Sequence, residues 1–159
     1  MPEAELASAE SNQKKEILQK QLSSSASWFY LIGALSLINT VVALSGSDWG
    51  FVIGLAMTQI MDAIAREVGV VGMAIALVFD LTIAGTFIVF GFFASKRHKW
   101  AFITGMVVYA LDTLLVLPAQ IWLSFFFHLV ALYYIFKGFQ AGKKLEQLAT
   151  AKSPETNTF

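Results

Sequence analysis

The sequence predicts an all-α integral membrane protein: a bundle of four transmembrane helices plus one short amphipathic helix at about 50–67, either interfacial or re-entrant. Three observations carry this expectation. Of the 159 residues, 57% are apolar and only 14% are charged, whereas a water-soluble domain carries about a quarter charged residues. The charges are also confined: between Val68 and Ser95 the only Asp, Glu, Lys or Arg is Asp80, and between Trp100 and Phe136 it is Asp112. Apolar runs longer than about 18 residues suit bilayer spans rather than core helices. Finally, Lys and Arg segregate with the connecting segments, as the positive-inside rule requires.

The elements follow in order. Residues 1–24, rich in Glu, Gln, Ser and Lys, are too polar for the leader of a cleaved signal peptide and read as a cytoplasmic segment with a short solvated helix. The transmembrane domain covers 25–142. Its first span, about 27–44, opens on the aromatic trio Trp28, Phe29 and Tyr30, which suits headgroup level, and breaks at Ser45-Gly46-Ser47-Asp48. The second, about 68–94, is long enough to tilt and stops at Ser95-Lys96-Arg97-His98-Lys99. The third, about 100–117, ends where Pro118 cannot continue helical hydrogen bonding. The fourth, about 121–139, leaves through Lys137, Lys143 and Lys144, and 143–159 is a cytoplasmic tail, disordered from Glu146.

With the N-terminus inside, Lys14, Lys15, Lys20, Lys96, Arg97, Lys99, Lys137, Lys143, Lys144 and Lys152 are cytoplasmic and only Arg66 is not. Both termini therefore belong in the cytoplasm, and the location is a plasma membrane, by type the inner membrane of a bacterium. In 50–67, Leu55, Thr58, Gln59, Asp62 and Arg66 share one helical face, and Phe51, Ile53, Met57, Ile60, Met61 and Ile64 make up the rest. A fifth crossing there would put Lys96, Arg97 and Lys99 outside, so an interfacial or re-entrant helix is expected instead.

Net charge is zero and there is no cysteine. The first excludes the basic footprint of a nucleic-acid binder, and the second excludes disulfides, thiolate nucleophiles and CxxC redox chemistry. No HExxH or paired ExxH spacing occurs, and His128 is the only histidine within a span, so no metal and no cofactor is expected.

A charged side chain in hydrocarbon costs a few kcal/mol, so Asp80 and Asp112 need a reason to be there. Asp80 precedes Lys96 by about 24 Å of helix and Asp112 follows Lys99 by about 20 Å; His128 and Asn39 fall near about 22 Å. Asn39, Asp80, Asp112 and His128 thus form a candidate intramembrane polar layer, one residue per span. Gln59, Asp62 and Arg66 either join it from the short helix or wet the membrane surface. The layer is either packing glue between helices or a site for a proton, an ion or a small ligand.

The size, the four spans and the two intramembrane aspartates resemble lipoprotein signal peptidase in outline, which would imply an intramembrane aspartyl hydrolase using Asp80 and Asp112. The surroundings Val78-Phe79-Asp80-Leu81-Thr82 and Ala110-Leu111-Asp112-Thr113-Leu114 lack the asparagines of that family's motifs, so the activity is not carried over. The leading expectation is a non-enzymatic small membrane protein, either an accessory subunit of a larger complex or a bundle binding a proton, ion or small ligand. The alternatives are that hydrolase and a small oligomeric transporter. The expected partners are the lipid bilayer and further copies of the chain or a larger membrane complex.

The orientation is directly testable in this cysteine-free chain. An Arg97→Cys variant in intact cells should stay unlabelled by a membrane-impermeant thiol reagent added outside; labelling would reverse the topology.

Overall fold

A computed structural model describes residues 2–45, 54–117 and 122–151, and these form five α-helices: α1 (Pro2–Leu44), α2 (Ala56–Val68), α3 (Val70–Ser95), α4 (Lys99–Val116) and α5 (Trp122–Ala151). Four of them, all but α2, are long and apolar enough to cross a membrane. The predicted boundaries agree at α3 and α4 to within a few residues. Pro118, expected to end the third span, lies outside the described residues, as do Gly46 to Ile53 of the preceding break and short-helix start.

Two expectations need correction. Residues 3–24 are not a separate helix: α1 runs unbroken for 43 residues. Its buried positions Leu18, Leu22, Ala26, Phe29 and Ile32 recur at helical spacing straight through the change from polar to apolar composition, so one stripe packs from Leu18 onward. Nor is 146–151 part of a disordered tail, because α5 continues to Ala151 and buries Leu145 on the same stripe as Ile135, Gly138 and Ala141.

In cross-section α1 packs on α3 and α5, and α4 packs on α3 and α5, which closes a four-helix ring. The two ends differ. The basic end holds the α3–α4 turn, where the Arg97 guanidinium bonds Gln19 Oε1 and Lys99 pairs with Glu146. The opposite end holds α2.

Many of the buried positions are small or polar, around a central cluster of aromatic rings, while many large aliphatic residues lie outside. The buried face of α3 reads Gly72, Ala76, Asp80, Ala84, Phe87, Phe90, Gly91 and Ala94, while Val70, Val71, Ile75, Val78 and Leu81 are exposed. That inversion suits helices whose outer surface meets hydrocarbon, where small residues allow close backbone approach. A β-carbon at Gly138 would overlap Ser25, and one at Gly105 would overlap the Phe29 ring. Phe29, Phe87, Phe90 and Phe102 fill the middle with ring centroids about 6 Å apart.

Two turns are sharp. Gly69 alone joins α2 to α3, at φ 84° and ψ −154°, a region open to glycine and costly for other residues. The α3–α4 turn places Arg97 at φ 67°. There Arg97 N–H donates to Ala94 O and His98 N–H to Phe93 O, a helix-ending motif whose left-handed position usually carries glycine. An L-residue with a side chain costs about 1 kcal/mol there.

The close approach at Gly138 predicts that Gly138→Ala lowers stability by about 1–3 kcal/mol, read as a lower thermal midpoint in detergent. Gly85, which has open space around it, should tolerate alanine without loss.

Candidate functional site

The short helix α2 starts inside the bundle and ends at its surface. Leu55 and Thr58 are fully buried, whereas Ile60, Ile64 and Val68 are exposed. The polar face found in the sequence therefore turns inward from Leu55 to Asp62, with Arg66 exposed, and the apolar face turns out. The reason lies in what α2 meets at its start.

A helix N-terminus presents N–H groups with no partner inside the helix, and burying them unpaired is costly. Side chains from two other helices satisfy them here. Leu55 N–H donates to Ser36 Oγ of α1 at 2.9 Å. Ala56 N–H donates to Asp112 Oδ2 of α4 at 2.9 Å, and Met57 N–H to Asp112 Oδ1 at 2.8 Å. Asp112 thus acts as an N-cap supplied from 55 residues away in sequence, with its negative charge at the positive end of the helix dipole. Gly54 lies so close to Asn39 that a β-carbon at 54 would overlap the Asn39 amide.

His128 of α5 completes this cluster. Its Nδ1 lies 2.7 Å from Ser124 O, which can only accept, so Nδ1 donates. Its Nε2 lies 3.2 Å from Asp112 Oδ2. Both side chains are fully buried at this contact. Tyr109 stacks on the imidazole with centroids 4.8 Å apart and fixes its plane; the buried Tyr109 hydroxyl has no partner among the described residues.

Asp80 belongs to a second cluster. Thr40 Oγ1 of α1 lies 2.8 Å from Asp80 Oδ2 and 3.1 Å from Ser36 O, and its one hydrogen can serve only one of them fully. Asp80 Oδ1 is buried with no N–H or O–H donor among the described residues. The group facing the Asp80 carboxyl is that of Asp62 on α2, within hydrogen-bond reach. Two carboxyls bond each other only when one is protonated, so the cluster is short of hydrogens by one. Burial raises the Asp62 carboxyl above its ordinary value, outweighing the hydrogen bond with Asp80 and the nearby Arg66 guanidinium, which both lower it. A crevice of about 10 Å³, room for roughly one water, reaches Asp62 between Ala43, Leu44, Ala65, Arg66 and Met73. Arg66 donates to Ala43 O at its mouth, at 3.3 Å.

All four residues of the predicted layer are buried. Direct contact joins Asp112 to His128; Asp80 bonds to Thr40 and faces Asp62, and Asn39 sits under Gly54. Of the short-helix residues, Asp62 enters the site, Arg66 lies at its rim and Gln59 is half-buried. Sequence reasoning missed Ser36, Thr40, Tyr109 and Ser124. Their signal was positional: each lies three or four residues from a polar-layer residue or from another of their own number, on the same helical face. Among the described residues no group of three or more His, Asp or Glu side chains gathers as a metal site.

Fold and site define a class: a bundle of span-length apolar helices enclosing a half-length helix seated on two buried acidic clusters. Compared with protein-family models, curated proteins and solved structures, the chain matches none.

The capping role predicts that Asp112→Ala, which strands two N–H groups, destabilises the fold by about 1–3 kcal/mol. Asp112→Asn, which keeps one acceptor oxygen, should cost less. Amide exchange at residues 55–59 should rise in the same order, and unchanged protection in Asp112→Ala would remove the cap.

Proposed function

We propose that the chain is a small integral membrane protein of the plasma membrane, with both termini in the cytoplasm, that takes up and releases a proton at the Asp62–Asp80 pair. The observation that carries this reading is the missing hydrogen: a buried carboxyl oxygen of Asp80 without a donor, beside a second carboxyl. One shared proton completes the cluster.

The pair joins a bundle helix to the short helix, so its protonation bears on how α2 is held. With the proton present, Asp62 and Asp80 bond and α2 stays on α3. Once it leaves, two neighbouring carboxylates repel each other in a poorly solvated place, and α2 is pushed from α3 at that point. The crevice beside Arg66 gives the proton a route from the non-cytoplasmic side. A carboxyl with a raised folded-state pKa adds stability below its unfolded value, and that addition is lost as pH rises through the folded value. For Asp62 the docking of α2 is accordingly firmest in acid. Asp112 has no part in this step, since both its oxygens are committed to the start of α2 and to His128. That commitment also leaves a hydrolase built on Asp80 and Asp112 without a free second carboxylate.

Infrared difference spectra of the chain in lipid across a pH series test this. The carbonyl band of a protonated, buried carboxyl should fade as pH rises, and it should be absent in Asp62→Asn/Asp80→Asn. Single Asp80→Asn supplies a permanent donor to Asp62, so the protection of the α2 amides, taken relative to their intrinsic exchange rates, should become independent of pH. A titrating band that survives in the double variant, or no such band in the wild type, overturns the reading.

A further inference from the structure

A second built feature lies at the basic end, far from the carboxyl clusters. Between α1, the α3–α4 turn and α5 runs an open groove of about 430 Å³, with Lys15, Glu16, Gln19 and Lys20 on one wall, Arg97 on another and Leu145 and Ala149 along α5. Glu16 pairs with Lys20 at 3.1 Å. Among the described residues, neither Lys15 nor Arg97 has a carboxylate partner, so the groove keeps an excess of positive charge over an apolar floor. Arg97 also stands in the left-handed position where glycine would cost less. The fold thus accepts a backbone penalty to hold a guanidinium at this place, and Gln19 steers it toward the groove.

We infer that this groove binds the phosphate of an anionic phospholipid, with Arg97 and Lys15 on the phosphate oxygens and the acyl chains running from Arg97 toward the apolar part of α3. Arg97 stands two residues beyond the apolar run of α3, 26 residues with a single charge, which puts its guanidinium at headgroup depth when α3 spans the bilayer. A guanidinium beside an ammonium group is the donor set that suits a phosphodiester, and a basic pocket between helices at the membrane boundary is where one is met. The inference rests on the membrane reading above and is independent of the proton site.

The full chain is reconstituted into nanodiscs of phosphatidylcholine with or without phosphatidylglycerol, and bound lipid is counted by native mass spectrometry. Failure to enter either nanodisc would count against the membrane reading; entry into both without retained phosphatidylglycerol would overturn the lipid site alone. The expected result is phosphatidylglycerol retained on the wild type and held about tenfold less well by Arg97→Gly, the change for one charge-assisted hydrogen bond. Arg97→Gly suits the turn, so it should be at least as stable as the wild type in neutral lipid, which separates binding from folding. Lys143→Ala/Lys144→Ala, at the same end but outside the groove, should retain the lipid; loss there equal to that in Arg97→Gly would mean a diffuse charge effect and overturn the site. Inorganic phosphate, added to the neutral nanodiscs, should not raise the thermal midpoint. A rise matching that from phosphatidylglycerol would reassign the groove to free phosphate.

Discussion

The start of α2 has to be paired inside the bundle. A helix beginning at the surface leaves its first N–H groups to water, but one beginning in the interior must find acceptors among its neighbours. Ser36 and Asp112 are those acceptors, and much of the site's arrangement follows from them. Asp112 must be oriented to serve two N–H groups at once, and His128, held by Ser124 and stacked on Tyr109, supplies the orientation. With its first turn fixed, α2 can present only one face to the bundle, and that face carries Thr58, Asp62 and Ala65.

The same logic accounts for the unequal fate of the polar residues. Asp112 and His128 answer to each other and to backbone groups, which is how buried charge is normally stabilised. Asp80 is held less completely, since a hydroxyl with divided obligations and a second carboxyl surround it. One aspartate in the layer is thus structural by its partners, and the other is left with a hydrogen to gain or lose.

The four span-length apolar helices, and the burial of the polar residues within them, were legible because both rest on strong local signals: apolar runs of bilayer length, and isolated charges too costly to leave on an apolar surface. The pairing was not legible, because height along a helix says nothing of its rotation. Asp80 and Asp112 stand at similar depth and look like a dyad, yet each turns to a different partner, since α2 enters between them. Asp62 was ambiguous for a related reason. An amphipathic helix reads the same whether its polar face meets water or a polar interior, and only the neighbour decides. The unbroken course of α1 was within reach, because the stripe Leu18, Leu22, Ala26, Phe29 continues across the compositional boundary that suggested a break. The continuation of α5 to Ala151 follows likewise from Leu145 recurring in phase with Ile135, Gly138 and Ala141.

The joint at Gly69 has a mechanical meaning. A single residue with no side chain, and with nothing near the place a β-carbon would occupy, links a helix of 13 residues to one of 26. The shorter arm is about 20 Å long, so a pivot of about 10° at the joint carries its buried tip through about 3 Å. That sweep is the length of a hydrogen bond, enough to lift Ala56 and Met57 clear of Asp112. A small swing at the surface is thereby amplified into making or breaking the anchorage in the interior.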